Sequence, residues 1–278
     1  MAPAVTTTAR ARRQRPPRGS AGYLRTHRRL LWRSTRNQIR VRYAGSILGV
    51  SWVVLAPALL LTVYGVVYLE VYKVRAPGLG ATAFVLYIFA GLVPFLMTAQ
   101  ALTEGAGSLV DDPSLLTNTV FPIDLAPVRA VLSTLPVLLI GTSAVVIGSA
   151  ASGRADWPLV LLPAVILLQV MALVGVAWFL SLATVVARDI QYVITIVILV
   201  LLVASPIAYT TRALHGPVRA LIFVNPLAWF VIAYQKILVL GESPSPGHWA
   251  ALVVAGCGLF LGGSRFFVWA KGVAMDYV

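Results

Sequence analysis

The sequence predicts an all-α integral membrane protein with six transmembrane helices, an N-terminal amphipathic interface helix, and re-entrant half-helices between spans five and six. Three observations carry this prediction. Apolar residues make up 59% of the 278 residues and charged residues 11%, against about 25% charged in an ordinary soluble domain. Such a chain cannot cover a globular surface with polar groups, so lipid covers much of it. Apolar runs of about 20 residues, the length that crosses a bilayer core, recur along the chain. A strongly basic segment stands directly before the first of them.

Residues 1–22 are rich in Ala, Arg, Pro and Thr and carry no hydrophobic periodicity, which predicts a disordered basic tail. Residues 23–46 predict the interface helix. On a helical wheel Tyr23, Leu24, His27, Leu30, Leu31 and Val41 share one face, and Arg25, Arg29, Arg33, Arg36 and Arg40 line the opposite one. That division suits a helix lying in the membrane interface, and the plainer alternative is a solvated basic helix. Residues 47–278 form the membrane domain. Its spans are predicted at 47–69, 82–102, 127–150, 158–187, 190–210 and 249–270. The fourth is long enough to require tilt, a kink or a projecting end. The apolar stretch 218–240 is interrupted by Asn225-Pro226 and contains Lys236. Proline lacks a backbone donor and disfavours helix in the residue before it, so two half-helices fit better than a straight span.

The net charge is +13, and twelve of the 22 Lys and Arg residues lie between Arg10 and Arg42. A basic arm can bind nucleic acid, but this one runs into a span. It reads as a cytoplasmic anchor that touches anionic membrane lipids, with no nucleic acid as partner. With six spans both termini are then cytoplasmic, and sixteen basic residues fall inside against six outside. The arm lacks the short apolar core of a signal peptide near Met1. Its Arg-rich, acid-poor character also resembles a mitochondrial transit peptide.

The spans contain almost no ionisable residues. Ion-coupled transporters need Asp, Glu or His within the membrane, whereas the nine carboxylates and three histidines here sit at span ends or in loops. The three lysines, Lys73, Lys236 and Lys271, do not follow the glycine spacing of a phosphate-binding loop. No Cys/His cluster has metal-ligand spacing, and Cys257 alone cannot form a disulfide within the chain. The sequence therefore predicts no enzyme and no cofactor in this chain, and energy supplied by another subunit.

Two segments suggest contacts with partners. The loop from Glu104 to Pro122 carries Ser108, Asp111 and Asp112 as candidate helix caps and Leu109, Leu115, Leu116, Val120 and Phe121 as apolar teeth. Short interfacial helices of this kind suit docking on a soluble partner, and the alternative is a plain surface loop. Tyr64, Tyr68 and Tyr72 recur every four residues on one helical face. Such a face can stack on sugar rings, although tyrosines also gather at membrane interfaces without binding anything.

The run from Arg36 to Trp52, ending at Pro57, resembles the opening of ABC transporter type-2 permeases, in particular the O-antigen and teichoic-acid export branch. The Glu104–Pro122 loop, Ala187-Arg-Asp189, Ser205-Pro-Ile-Ala-Tyr209 and Asn225-Pro-Leu227 are similar to that branch and follow in its order from about residue 23 to the C-terminus. Asn37 stands where many members carry aspartate. The resemblance implies a homodimer of this chain in the bacterial cytoplasmic (inner) membrane. Two ABC ATPase subunits would bind ATP and Mg²⁺, and the cargo would be a lipid-linked polysaccharide such as O-antigen, teichoic acid or another cell-wall glycan. A type-2 drug or antibiotic exporter is the alternative. It further implies ATPase coupling through Glu104, Ser108, Asp111, Asp112 and Leu115. Tyr64, Tyr68 and Tyr72 would line the substrate channel, and Pro206, Asn225 and Pro226 would mark the external gate. Arg36, Arg40 and Arg42 would bind the lipid-pyrophosphate headgroup or, equally, ordinary lipid headgroups.

Overall fold

The computed structural model describes residues 27–42, 44–67, 80–111, 122–154, 156–208 and 225–275, and these are helical with no strand among them. The predicted tail and the start of the predicted interface helix lie outside them. So do the positions of Tyr68, Tyr72, Asp112 and Leu115.

Helix α1 spans Arg28–Arg42. Leu31 and Thr35 are its buried residues, while Leu30, Trp32 and Val41 are exposed. The face turned to the protein is thus the i, i+4 line through Leu31 and Thr35, which continues to Gln38 and Arg42. Leu30 and Val41 of the apolar face read from the sequence stay outward, and polar partners at the bundle end draw the Leu31–Thr35–Arg42 line inward. A bend with left-handed Gly45 (φ 82°) and Gly49 (φ 49°) follows. Helix α2 then begins at Trp52 and is described to Val66, later than the predicted start at Ile47. The two glycines break the helix there because they adopt backbone angles that side chains disfavour.

Helix α3, Ala81–Gly107, runs a full turn beyond the predicted span and carries Glu104 inside the helix rather than in the loop. It is the central element: 18 of its 27 residues are buried. The next crossing consists of α4, Leu125–Leu132, and α5, Leu135–Ala151, separated at Ser133–Thr134. Pro136 has no N–H to offer the Leu132 carbonyl, which explains the interruption. A 3₁₀ turn, Trp157–Leu161, leads into α6, Leu162–Val186. At 30 residues this unit is longer than a ~30 Å core requires, as anticipated.

Helix α7 covers only Ile190–Ala204, and the predicted extension to Thr210 is corrected. Ser205 is extended (φ −94°, ψ 137°) because it precedes Pro206. Helix α8, Pro226–Gln235, begins where Asn225-Pro226 predicts and passes into a π turn, Lys236–Leu240. The turn ends at left-handed Gly241 (φ 63°), where a Cβ would lie 2.3 Å from Asp156 Oδ2. Helix α9, Pro246–Met275, closes the described chain.

Among the described residues four helical units are long and apolar enough to cross a membrane, at Ala81–Gly107, Leu125–Ala151, Trp157–Val186 and Pro246–Lys271. Helices α2, α7 and α8 with its π turn are apolar but shorter. Among the described residues the bundle thus shows four long units and three shorter ones.

Packing is closest between α6 and α9. Gly175 on α6 faces the Leu259 carbonyl and Gly263 on α9, at distances that leave no room for a side chain. Trp178, fully buried, stacks at a tilt on Phe260 and Phe267 with ring centroids 5.2 and 6.4 Å away.

Candidate functional site

Two polar constructions stand out in an otherwise apolar bundle. The first lies at the end where α1, α3, α4 and α9 meet. Arg42, the last residue of α1, forms an ion pair with Glu104 near the end of α3. Ser133, in the α4–α5 break, accepts from Arg42 Nη2 at 3.2 Å, and its Oγ lies 2.9 Å from Glu104 Oε2. The two charged side chains are about one-fifth exposed. At that exposure solvent weakens the attraction only partly, and removing one partner leaves a poorly hydrated charge. Nearby, Lys271 of α9 donates to both carboxylate oxygens of Asp124 at 3.1 and 3.3 Å. Trp178 of α6 donates to the Asp124 carbonyl at 3.0 Å. Asp111, just beyond α3, accepts from Gln191 of α7 at 3.4 Å. Side chains at this end therefore link α1, α3, α4, α6, α7 and α9.

The second construction is neutral and interior. Pro94 interrupts the hydrogen-bond ladder of α3, and Gln169 of α6 donates to the Pro94 carbonyl at 3.0 Å and to Thr98 at 3.1 Å. Tyr234 of α8 donates in turn to Gln169 Oε1 at 2.8 Å. The next residue, Gln235, donates to the Pro206 carbonyl at 2.9 Å and lies 3.3 Å from that of Ile207. These carbonyls belong to the non-helical segment after α7, and Gln235 therefore satisfies backbone that the helix has released. The Gln235 Oε1 atom has no hydrogen-bond partner among the described residues. Asn225 bonds Ser205 at 3.2 Å and caps α8 by accepting from Leu227 N–H at 3.0 Å. Gly91 at mid-helix lets this group approach α3: a Cβ there would sit 2.8 Å from Gln235 Nε2 and 3.4 Å from Ile207 Cα.

The structure brings together residues that the sequence assigned to separate tasks. Glu104 and Arg42, read as ATPase-coupling and headgroup-binding residues, are ion-pair partners. Ser108 is buried and its hydroxyl donates to the Gly105 carbonyl, so it closes α3 rather than starting a new helix. Leu109 is fully buried and is therefore a core residue, not an outward tooth. Asp111, Arg36 and Arg40 are exposed, as their proposed contacts require. Pro206, Asn225 and Pro226 do assemble, at the point where α7 ends and α8 begins. Tyr64 lies on α2, two residues before Val66 at its described end.

Sequence reasoning missed Ser133, Asp124, Lys271, Gln169, Tyr234 and Gln235. The amides had a signal: glutamine inside an apolar run must find partners when buried.

The profile of the ABC-2 type transporter family matches residues 29–239, which include both constructions except Lys271. The chain belongs to this family. It is 26% identical over 244 residues to the O-antigen export system permease protein RfbA of Myxococcus xanthus, covering 87% of this chain and 92% of that one. Two proteins of the same name from Klebsiella pneumoniae are 25% and 24% identical, each over 74% of this chain and 79% of the relative. ABC-2 membership makes this a multi-pass membrane component of an ABC transporter, with an ABC ATPase as its partner.

Proposed function

We propose that this chain is the permease subunit of an ATP-driven exporter that carries a lipid-linked polysaccharide of the O-antigen class across the bacterial cytoplasmic membrane. The observation that carries this reading is the similarity to O-antigen permeases over 87% of the chain and 92% of the relative. It extends beyond the shared family to nearly the whole length of both proteins.

Two copies of the chain pair with two ATPase subunits, which bind ATP and Mg²⁺. Closure of the ATPases presses on α1 and on the segment after α3. Arg42, Glu104 and Ser133 join α1, α3 and the α4–α5 break, so that push reaches three elements at once. Six net crossings result when α2 counts as the first and α7 with α8 together make the fifth. On this count α1 and the end of α9 are cytoplasmic. The break at Ser205-Pro206 and Asn225-Pro226 then lies within the membrane and serves as the gate that responds to the push. Arg36 and Arg40, exposed on α1, meet lipid phosphate, and Tyr64, Tyr68 and Tyr72 face the glycan in the channel between the two copies.

The test is transport by the full-length protein in liposomes together with its ATPase subunit. ATP-dependent movement of a lipid-linked glycan into a compartment protected from an external glycosidase is the expected result. The reading is overturned if the chain moves glycan without the ATPase. It is equally overturned if amphipathic drugs are transported and the glycan is not.

A further inference from the structure

A cavity of about 320 Å³ lies between α3, α6, α7 and α8, at the small end of the ~300–1,000 Å³ range of ligand sites. Leu102, Val176, Leu180, Ile194, Val197 and Phe230 are among its apolar lining residues. Its polar lining residues are Thr98, Gln169 and Asn225. All three are engaged within the protein, Thr98 with the Pro94 carbonyl, Gln169 with Pro94, Thr98 and Tyr234, and Asn225 with Ser205 and Leu227. A water needs two to four polar partners to reside in a cavity, and a sugar hydroxyl buried without a partner is costly. The cavity therefore selects hydrocarbon.

Its mouth and dimensions narrow the occupant further. Val193 and Val197 line the cavity and are also 54% and 43% exposed, so it opens on the apolar outer face of α7. It follows α7 from Ile190 to Leu201, about 16 Å at the helical rise, or half of a ~30 Å hydrocarbon core. That is the depth of one leaflet. At the Ile190 end, Arg188 and Asp189 are both exposed and adjacent. A cation beside an anion suits a headgroup that itself carries phosphate and ammonium, and it disfavours one with several negative charges.

We propose that this cavity holds one acyl chain of a zwitterionic bilayer phospholipid, with its phosphate against Arg188 and its ammonium against Asp189. The lipid fills the space beside the broken segment and is distinct from the cargo, so the assignment does not depend on which glycan is exported.

The experiment places the full-length protein in nanodiscs containing phosphatidylethanolamine with a photoactivatable group midway along one acyl chain. After illumination, labelled peptides are mapped by mass spectrometry. Labelling concentrated on 172–180 and 193–201, above that at exposed Val254 and Leu261 of α9, is the expected result. Ala172→Phe, which fills the cavity, lowers labelling of α7 several-fold and leaves α9 unchanged. Arg188→Gln, at an exposed site that does not threaten folding, weakens occupancy several-fold by removing the charged partner of the phosphate. The proposal is overturned if α7 is labelled no more than α9, or if neither substitution changes the pattern. It is also overturned if polyprenyl phosphate displaces the label where unlabelled phosphatidylethanolamine does not, because the cavity then belongs to a carrier lipid.

Discussion

The α6–α9 seam and the flank formed by α7 and α8 are built from similarly apolar residues on opposite plans. At the seam a Cβ on Gly175 would meet the Leu259 carbonyl at 2.1 Å, and one on Gly263 would meet the Gly175 carbonyl at 2.1 Å. Two backbones touch directly. On the flank, α7 stops halfway, two carbonyls depend on one glutamine, and a cavity remains beside them. Lipid tails are as apolar as Leu, so greasiness alone holds neither region together; close contact and hydrogen bonds do. The seam has the first in abundance and the flank relies on the second. A seam of this kind moves as one body, whereas the flank can rearrange.

The sharpest way to break this contrast is to force the seam apart. Gly175→Leu inserts a side chain between touching backbones, and overpacking of this severity costs about 3 kcal/mol or more. Loss of a folded, monodisperse protein in size-exclusion chromatography is the expected outcome. Next in size is Glu104→Ala, which strands Arg42 with only Ser133. We expect a loss of about 2 kcal/mol in reversible unfolding from mixed micelles, reduced from the value for a fully buried pair because both groups see some solvent. An Arg42→Ala, Glu104→Ala double-mutant cycle should return a coupling of about 1 kcal/mol. Gln235→Leu comes third. It removes the donor from the Pro206 and Ile207 carbonyls but also deletes an unpartnered oxygen, for a net cost of about 1–2 kcal/mol. Its hydrogen-exchange signature should be confined to residues near 205–208, with α6 and α9 as protected as before. Equal loosening of the seam would refute the contrast. The smallest effect belongs to Val197→Ala, half exposed on the cavity rim, which should stay within about 0.5 kcal/mol of wild type in the same unfolding measurement.

Much of this architecture was legible in the sequence. Long apolar runs, two of them interrupted only by Arg129 or Arg265, gave the four long helices, and proline chemistry gave one end of the break. Asn225 before Pro226 starts α8 as expected, whereas Ser205 before Pro206 stops α7 for the same kind of local backbone reason although the span predicted from apolarity runs on to Thr210. The orientation of α1 was less accessible. Helical periodicity separated its arginines from its leucines, but the buried line runs through Thr35 and Arg42 because Glu104 and Ser133 wait 62 and 91 residues away. Pairings across such separations leave no trace in local pattern. The same is true of Gly107 and Ser108, which look like the opening of a loop and instead finish a helix. The cavity could not be foreseen at all, since it exists only where four helices fail to fill the space between them.

Gln235 has a consequence for how this protein can move. A single amide clasps the carbonyls of Pro206 and Ile207. Rotating that side chain away frees both carbonyls while the Asn225–Ser205 bond and every helical backbone bond stay intact. The cost is a couple of hydrogen bonds, and the time is that of a side-chain rearrangement rather than of unwinding. A wall of the membrane domain can thus change course at its midpoint while the long helices on either side keep their shape.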